Sequence, residues 1–177
     1  FGNWLDEVKE WSLSRDRFWG TPLPIWVSED GSDAFAVGSV EELMEGLIEM
    51  PGGSRVPVAT SGVEIDLHRP FVDGIVFEKN DKVYRRVHEV IDVWYDSGSM
   101  PFAQFHYPFE NKEKFEANFP GDFIVEYVGQ VRAWFYYVHA VNVGLFGTHA
   151  FKNVIVTGNV AGNDGSKMSK SYSNYTD

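Results

Sequence analysis

The sequence contains no cysteine among its 177 residues. Disulfide bonds and thiolate metal sites are therefore excluded, and the composition is compatible with a reducing cytoplasm, where we expect the protein to act. No apolar run approaches the roughly 18 to 20 residues that a membrane-spanning helix requires, so no membrane association is expected. A starting methionine is also missing, since the chain begins at Phe1. This is typical of a segment of a longer protein.

Positive charge is scarce as well, and the formal net charge is -11. This balance argues against nucleic-acid binding through bulk charge, although a local basic loop could still contact such a substrate. None of the five histidines has a spacing typical of metal ligands, so no metal site is predicted. Hydrophobic residues make up 44% and aromatic residues 16% of the chain, which is sufficient for a packed core.

The last third of the chain predicts a parallel β-α-β unit. Residues 123–127 and 154–157 are short apolar runs suited to buried strands, and residues 130–145 between them are long enough for a helix. Strand, helix and strand at this spacing indicate a parallel sheet, in which ligands bind beyond the carboxyl ends of the strands. Glu126 and the loop of residues 158–171 both fall at that edge.

The middle of the chain predicts a small mixed α+β region. Ser39 is a favourable helix N-cap, and Glu42 three residues later completes a capping box for a helix over residues 41–49. Residues 72–78 and 82–88 flank an Asn-Asp pair and predict a β-hairpin.

The segment Lys167-Met168-Ser169-Lys170-Ser171 follows the second predicted strand. Its lysines and serines can present ammonium and hydroxyl donors to phosphate oxygens, and the glycines before it allow a loop that closes over a ligand. The alternative is a solvated loop without a ligand. Composition alone favours this second interpretation.

Two further segments combine aromatic and charged residues. In residues 14–20, Arg15 and Arg17 could hold a phosphate or an RNA end through their guanidinium groups, or could brace a core carboxylate. In residues 92–98, Trp94 could form the rigid wall of a pocket, or could be a core tryptophan before an Asp-Ser-Gly turn. The residues alone leave both alternatives open.

A third combination comprises Glu126 at a strand end and Gln130, Arg132 and Trp134 on the helix that follows. A carboxylate at this place can accept hydrogen bonds from an ammonium group or a ribose, and Gln130 can donate or accept. Alternatively, Glu126 caps the start of the helix and Arg132 is its surface partner.

Three motifs in this order resemble class I aminoacyl-tRNA synthetases. Residues 11–24 resemble the segment that re-enters the catalytic core after the editing domain in isoleucyl, leucyl and valyl enzymes. Residues 92–102, continuing into 106–111, look specifically isoleucyl, and residues 167–171 match the class I lysine loop letter for letter. The chain is thereby identified as similar to isoleucyl-tRNA synthetases. The alternatives are a valyl or leucyl synthetase and a synthetase-derived, non-catalytic binding module.

The resemblance implies an α/β fold, namely the C-terminal half of a class I synthetase Rossmann-like nucleotide-binding fold with a small mixed α+β insertion. It divides the chain into a re-entry segment (1–27), the insertion (28–90) and the second half of the core (91–177). The implied reaction joins isoleucine and ATP, bound with Mg²⁺, into isoleucyl-adenylate and transfers the acyl group to tRNA(Ile). The first half of the core, with its His-x-Gly-His motif, has no match, so we expect the isolated chain to be inactive and monomeric.

The resemblance also assigns residues to these steps. It implies catalytic roles for Lys167 and Lys170. ATP binding is implied for the whole loop, which is Lys167, Met168, Ser169, Lys170 and Ser171. Contact with the aminoacyl-adenylate is implied for Trp94, Glu126, Gly129, Gln130 and Trp134.

The chain departs from the family pattern at two positions of this region. Gly129 stands where an aspartate is common, and Ala133 where a glycine is usual. Many relatives hold a cysteine-ligated zinc around residues 77–84. Because this chain has no cysteine there, no zinc is expected.

Overall fold

The computed structural model describes residues 1–7 and 10–174, which belong to two units. The first, here called the sheet unit, is Trp11–Val93. The second, here called the terminal unit, joins Phe1–Glu10 to Trp94–Asp177. The predicted division of the chain at residues 27 and 90 is based on the domain boundaries of the family, whereas the two units are compact parts of the structure. The predicted division stays a prediction.

The sheet unit is built almost entirely from antiparallel strands. The elements are β1 Ser14–Arg15, β2 Ile25–Ser28, β3 Ala34–Ala36, α2 Val40–Leu43, β4 Leu47–Glu49, β5 Arg55–Pro57, β6 Ile75–Lys79, β7 Lys82–Arg86 and β8 Val90–Ile91, with 3₁₀ turns at Val58–Thr60 and Val72–Gly74. Six of the strands form one sheet in the order β3-β2-β7-β6-β4-β5, and β1 pairs with β8 separately.

The core of the sheet unit centres on Trp26, which is only 1% exposed. Its indole Nε1 donates a hydrogen bond of 2.8 Å to the carbonyl of Ile75, and its ring meets Phe77 edge-on at 5.3 Å. A buried tryptophan thus contributes a large apolar surface while its one polar atom is satisfied. The buried cluster comprises Trp26, Val37, Leu43, Val58, Val72, Ile75, Phe77 and Tyr84.

The predicted hairpin is present as β6 and β7, in antiparallel register from Val76 opposite Arg85 to Lys79 opposite Lys82. The two turn residues, Asn80 and Asp81, have φ values of 52° and 60°. Positive φ at both central positions is the geometry of a type I′ turn, whose twist matches that of the strands, and asparagine and aspartate tolerate it well.

The predicted N-cap at Ser39 is confirmed. Its Oγ accepts a hydrogen bond of 3.2 Å from the backbone N–H of Glu42, and a carboxylate oxygen of Glu42 accepts one of 2.7 Å from the N–H of Gly38. The glutamate therefore reaches one residue further back than in a standard capping box.

The predicted length of this helix is wrong, because α2 ends at Leu43 and Leu47–Glu49 form strand β4. β4 pairs with both β5 and β6, so tertiary pairing overrides the local helical preference. The chain turns at Gly46, where a Cβ atom would lie 2.7 Å from Ile75 Cγ2. Only glycine allows this approach without displacing a core side chain.

We expect Ser39→Ala to lower the free energy of unfolding by about 1 kcal/mol, since the amide of Glu42 would lose its partner. Urea denaturation of the chain, followed by circular dichroism, measures the effect. Ser39→Thr is the matched control, because it retains an acceptor oxygen. Equal midpoints for all three proteins would show that the cap adds nothing to stability.

The terminal unit contains the parallel pair that the sequence predicts. β9 and β10 run side by side in parallel, from Gly121 opposite Phe151 to Tyr127 opposite Thr157. A 3₁₀ turn and helix α6 lie between them in sequence. The elements are α1 Gly2–Asp6, α3 Val93–Gly98, α4 Met100–Ala103, α5 Lys112–Asn118, β9 Gly121–Tyr127, the 3₁₀ turn Val128–Arg132, α6 Trp134–Phe146 and β10 Phe151–Thr157.

The fold class is therefore mixed α/β, as expected, but parallel pairing is confined to β9 and β10 among the described residues. The helix predicted over residues 130–145 is present with a later start, at Trp134. It ends at Phe146, and the next residue, Gly147, forms a left-handed C-cap with a φ of 67° and a hydrogen bond from its N–H to the carbonyl of Val143.

Candidate functional site

The carboxyl ends of β9 and β10 meet at one edge of the parallel pair. Glu126 lies opposite Val156, and Tyr127, the last residue of β9, lies opposite Thr157, the last residue of β10. The chain then leaves β10 directly into the loop of residues 158–174. Glu126 and the start of the loop, which the sequence places at the ligand-binding edge, therefore both lie there.

The loop after β10 is folded back on itself. Ala161 and Lys167 form an antiparallel bridge, and the N–H of Met168 donates to the carbonyl of Val160 at 3.1 Å. The tip turns at Gly165, whose φ of 77° favours glycine. Asp164 accepts hydrogen bonds from the hydroxyl and backbone N–H of Ser166, which hold the pKa of that carboxyl below its usual value.

Asn174, at the far end of the loop, is tied to the segment that holds Lys167. Its Nδ2 donates to the hydroxyl of Ser166 at 2.8 Å and to the carbonyl of Lys167 at 3.2 Å, and its Oδ1 accepts from the N–H of Ser169 at 2.8 Å. The hydroxyl oxygens of Ser169 and Ser171 lie 2.7 Å apart. The backbone around the two lysines is thereby fixed.

Both lysines of the loop are exposed. The ammonium group of Lys167 lies 5.4 Å from the ring centroid of Tyr127, within the range of a cation–π contact. Exposed positive charge beyond the carboxyl ends of two parallel strands can attract a phosphate group. The geometry thus allows the phosphate-binding interpretation that composition alone disfavours.

Glu126 and Gln130 make different local contacts from those expected if Glu126 caps the helix. Oε1 of Gln130 accepts the N–H of Trp134 at 3.0 Å, so the Gln130 side chain satisfies the first N–H of α6, whose N-cap residue is Ala133. Glu126 is exposed and accepts the N–H of Tyr127 at 3.2 Å. Arg132 lies over the ring of Trp4, with its guanidinium carbon 5.6 Å from the ring centroid. The carboxylate therefore faces solvent at the strand edge, where it could meet a ligand.

Each of the two tryptophans with implied pocket roles contacts the opposite helix of the pair α3 and α6. Trp94 on α3 stacks on Tyr137 of α6, with ring centroids 5.2 Å apart, and Trp134 Nε1 donates to the carbonyl of Ser97 at 3.2 Å. At Gly98 a Cβ atom would lie only 2.8 Å from the carbonyl oxygen of Tyr137. The helices approach this closely because that position has no side chain.

Two residues important for this arrangement were missed from the sequence. Asn142 is fully buried, and its Nδ2 donates to the carbonyls of Gly98 and Val138 at 3.0 and 2.7 Å. Tyr137 forms the stack with Trp94. Two features of the sequence could have indicated these residues: a single asparagine within the apolar stretch of α6, and an aromatic residue three positions after Trp134.

In the sheet unit, Arg15 forms an ion pair with Asp92, whose side chain is 2% exposed. This is the bracing role considered for the arginines of residues 14–20. Phe18 and Trp19 are instead 60% and 67% exposed, and Trp19 stacks flat on His68 at 4.9 Å. The aromatic rings of this segment are therefore available at the surface rather than in the core.

Among the described residues, no group of three or more histidine, aspartate or glutamate side chains could hold a metal ion. Within the same residues, no helix is long and apolar enough to cross a membrane.

The family of class I tRNA synthetases (I, L, M and V) matches residues 1–177, the whole chain. The chain belongs to this family. Relatives with high identity are isoleucine–tRNA ligases: that of Cytophaga hutchinsonii is 51% identical over 175 residues, and that of Protochlamydia amoebophila is 48% identical over 177 residues. A probable cytoplasmic isoleucine–tRNA ligase of Encephalitozoon cuniculi is 46% identical over 196 residues.

These matches cover 98% to 100% of this class I synthetase chain but only 16% to 18% of the relatives. Among solved structures, LeuRS of Agrobacterium radiobacter in a ternary complex with tRNA and LeuAMS superposes with a TM-score of 0.61 at 21% identity. That match covers 96% of this chain and 22% of the other. At this identity the likeness concerns the fold alone.

Proposed function

We propose that this chain is the second half of the catalytic core of an isoleucine–tRNA ligase. The full-length protein would activate isoleucine with ATP and Mg²⁺ to isoleucyl-adenylate and transfer the acyl group to tRNA(Ile). The single observation that carries the proposal is the lysine loop at the carboxyl edge of β9 and β10, in a chain of this family. Identities of 46% to 51% with isoleucine–tRNA ligases support the choice of amino acid.

The proposed chemistry assigns the two loop lysines to the anionic transition state of adenylate formation. Negative charge develops on the α-phosphate and on the departing pyrophosphate, and fixed positive charge stabilises it. Lys167 and Lys170 supply two ammonium groups from one loop. Ser169 and Ser171, whose hydroxyl oxygens lie 2.7 Å apart, add hydrogen-bond donors for phosphate oxygens, and Met168 joins Lys167 to Ser169 in the chain.

The proposed amino-acid pocket uses Trp94 and Trp134 as apolar walls for the isoleucine side chain. Glu126, Gly129 and Gln130 would contact the adenylate. Glu126 offers an exposed carboxylate to an ammonium group or a ribose hydroxyl. An apolar pocket of this kind rejects valine only weakly, since one methylene is worth about 1 to 3 kcal/mol. A separate editing step would therefore be needed for accurate selection.

The exposure of the parallel strands supports the view that other parts of a larger protein complete this core. Parallel strands are normally covered on both faces. Here Phe123 on β9 is 59% exposed and Ile155 on β10 is 51% exposed, and Val125, Val154 and Val156 are exposed as well. We propose that the first half of the core covers them, that the isolated chain is inactive and monomeric, and that the full-length protein acts in the cytoplasm. No zinc is expected in the present segment.

The proposal predicts isoleucine-dependent exchange of pyrophosphate into ATP by the full-length protein that contains this chain. Valine and leucine at equal concentration serve as controls, and we expect valine to be the slower by about 10- to 200-fold. Faster exchange with valine or leucine would assign the chain to those ligases, and no exchange with any of them would favour a non-catalytic binding module. Calorimetry of the isolated chain with isoleucine and ATP is expected to detect weak or no binding.

A further inference from the structure

Tyr127 occupies the point where the strand edge and the lysine loop come together. It is the last residue of β9, is half-buried, and lies opposite the last residue of β10. None of the roles implied by the family resemblance uses it. Its ring nevertheless lies under the ammonium group of Lys167, at 5.4 Å from the centroid.

The backbone of Lys167 is fixed independently of this contact. It bridges to Ala161, and its carbonyl accepts a hydrogen bond of 3.2 Å from Asn174 Nδ2. A lysine side chain has four flexible carbon–carbon bonds beyond that anchor, so a fixed backbone alone leaves its charge mobile. The Tyr127 ring supplies the second anchor, at the charged end.

The ring takes this place because residue 129 has no side chain. A Cβ atom at Gly129 would lie 2.5 Å from Cε2, Cζ and Oη of Tyr127. Atoms do not approach so closely, so any side chain at position 129 would displace the ring. The ring is the free end of a side chain and can swing away, so the change would move Tyr127 rather than break the fold.

We propose that Tyr127 is a positioning residue that holds the Lys167 ammonium group at the strand edge, and that Gly129 leaves the space for its ring. The contact restricts the lysine before ligand binds, so less conformational entropy is lost when the charge is needed. The contact stands on its own geometry, whereas its effect on adenylate formation rests on the proposed function.

Competitive acetylation of the full-length protein tests the contact without any assay of activity. Acetic anhydride modifies exposed amines, and mass spectrometry compares Lys167 with Lys170, an exposed lysine of the same loop. We expect Lys167 to react about three times more slowly than Lys170, a ratio that matches the strength of a cation–π contact at an exposed site. Tyr127→Leu and Gly129→Ala should both remove the difference, and Tyr127→Phe should retain it.

Kinetics of isoleucine-dependent exchange then test the positioning role. Tyr127→Leu and Gly129→Ala are each expected to lower kcat by about three- to fivefold, with the KM for isoleucine within about twofold, and Tyr127→Phe should restore most of kcat. The double variant should be no slower than the worse single one, because both changes remove the same contact.

Equal acetylation of Lys167 in all variants would overturn the contact, and a ring-dependent acetylation with unchanged kcat would overturn the positioning role. A wild-type protein that shows the acetylation difference but no isoleucine-dependent exchange would reject the proposed function and leave the contact standing. Gly129→Ala retains the tyrosine, so the test survives if Tyr127→Leu fails to fold.

Discussion

In the full-length protein, isoleucine-dependent ATP–pyrophosphate exchange is expected to slow by about 10²-fold or more when Lys170 becomes alanine, through loss of charge stabilisation in the transition state. Lys170 is exposed on the loop after β10, and its backbone carbonyl accepts the N–H of Ser173 at 3.3 Å. Truncation of its side chain therefore removes a charge without opening the core. The loss should appear mainly in kcat, because the charge is needed most where pyrophosphate departs.

Lys112→Ala is the matched control for the removal of one lysine charge. Lys112 is an exposed residue on α5, and its ammonium group lies 3.8 Å from Glu116 in a surface ion pair. Such pairs add little to stability, and Lys112 is not one of the candidate-site residues, so exchange should stay within about threefold of wild type. Lys170→Arg should recover part of the loss, since it keeps the charge but changes its geometry. A wild-type rate for Lys170→Ala would remove this lysine from the proposed mechanism.

The strands at the candidate site could be predicted because their signal is local. Residues 123–127 and 154–157 are apolar runs flanked by glycine, and each lies within an observed strand. The lysine loop was predicted from its match to the class I motif, and its position after a strand was predicted from the apolar run at residues 154–157. The roles of its residues remain predictions.

Other features depend on contacts between distant parts of the chain, which local patterns do not encode. Leu47–Glu49 suits a helix by spacing, yet its pairing with β6 makes it a strand. The 3₁₀ turn Val128–Arg132 delays α6 to Trp134. That turn also places Gly129 beneath the Tyr127 ring. The predicted helix over residues 130–145 gives no indication of this close approach.

A buried charge cluster provides the second large effect, this time on stability. The side chain of Arg86 is fully buried, and its Nε donates to Asp73 Oδ1 at 2.8 Å. Its Nη1 donates to the carbonyls of Leu23 and Glu89 at 3.2 and 2.9 Å. Arg69 Nε donates to the other oxygen of Asp73 at 2.8 Å. One carboxylate thus forms ion pairs with a buried guanidinium and with a second, half-buried one.

The ionised state of Asp73 depends on these partners. Burial by itself would raise the pKa of this carboxyl, but the hydrogen bonds and charges of Arg69 and Arg86 outweigh it, and the pKa is lowered. A carboxyl of this kind adds its full stabilisation above the pKa of the unfolded chain, about 3.9, and loses it as the pH falls through the lower, folded pKa.

We therefore expect Asp73→Asn to lower the free energy of unfolding at pH 7 by about 3 kcal/mol or more, since it leaves the buried charge of Arg86 without its counter-ion. Urea denaturation followed by tryptophan fluorescence measures the loss, and the difference from wild type should shrink below about pH 4. Asp66→Asn is the control, because Asp66 pairs with His68 at the surface, and it should change stability much less than Asp73→Asn does. Equal losses for the two variants, or a difference that does not change with pH, would contradict the role of Asp73 as the counter-ion of Arg86.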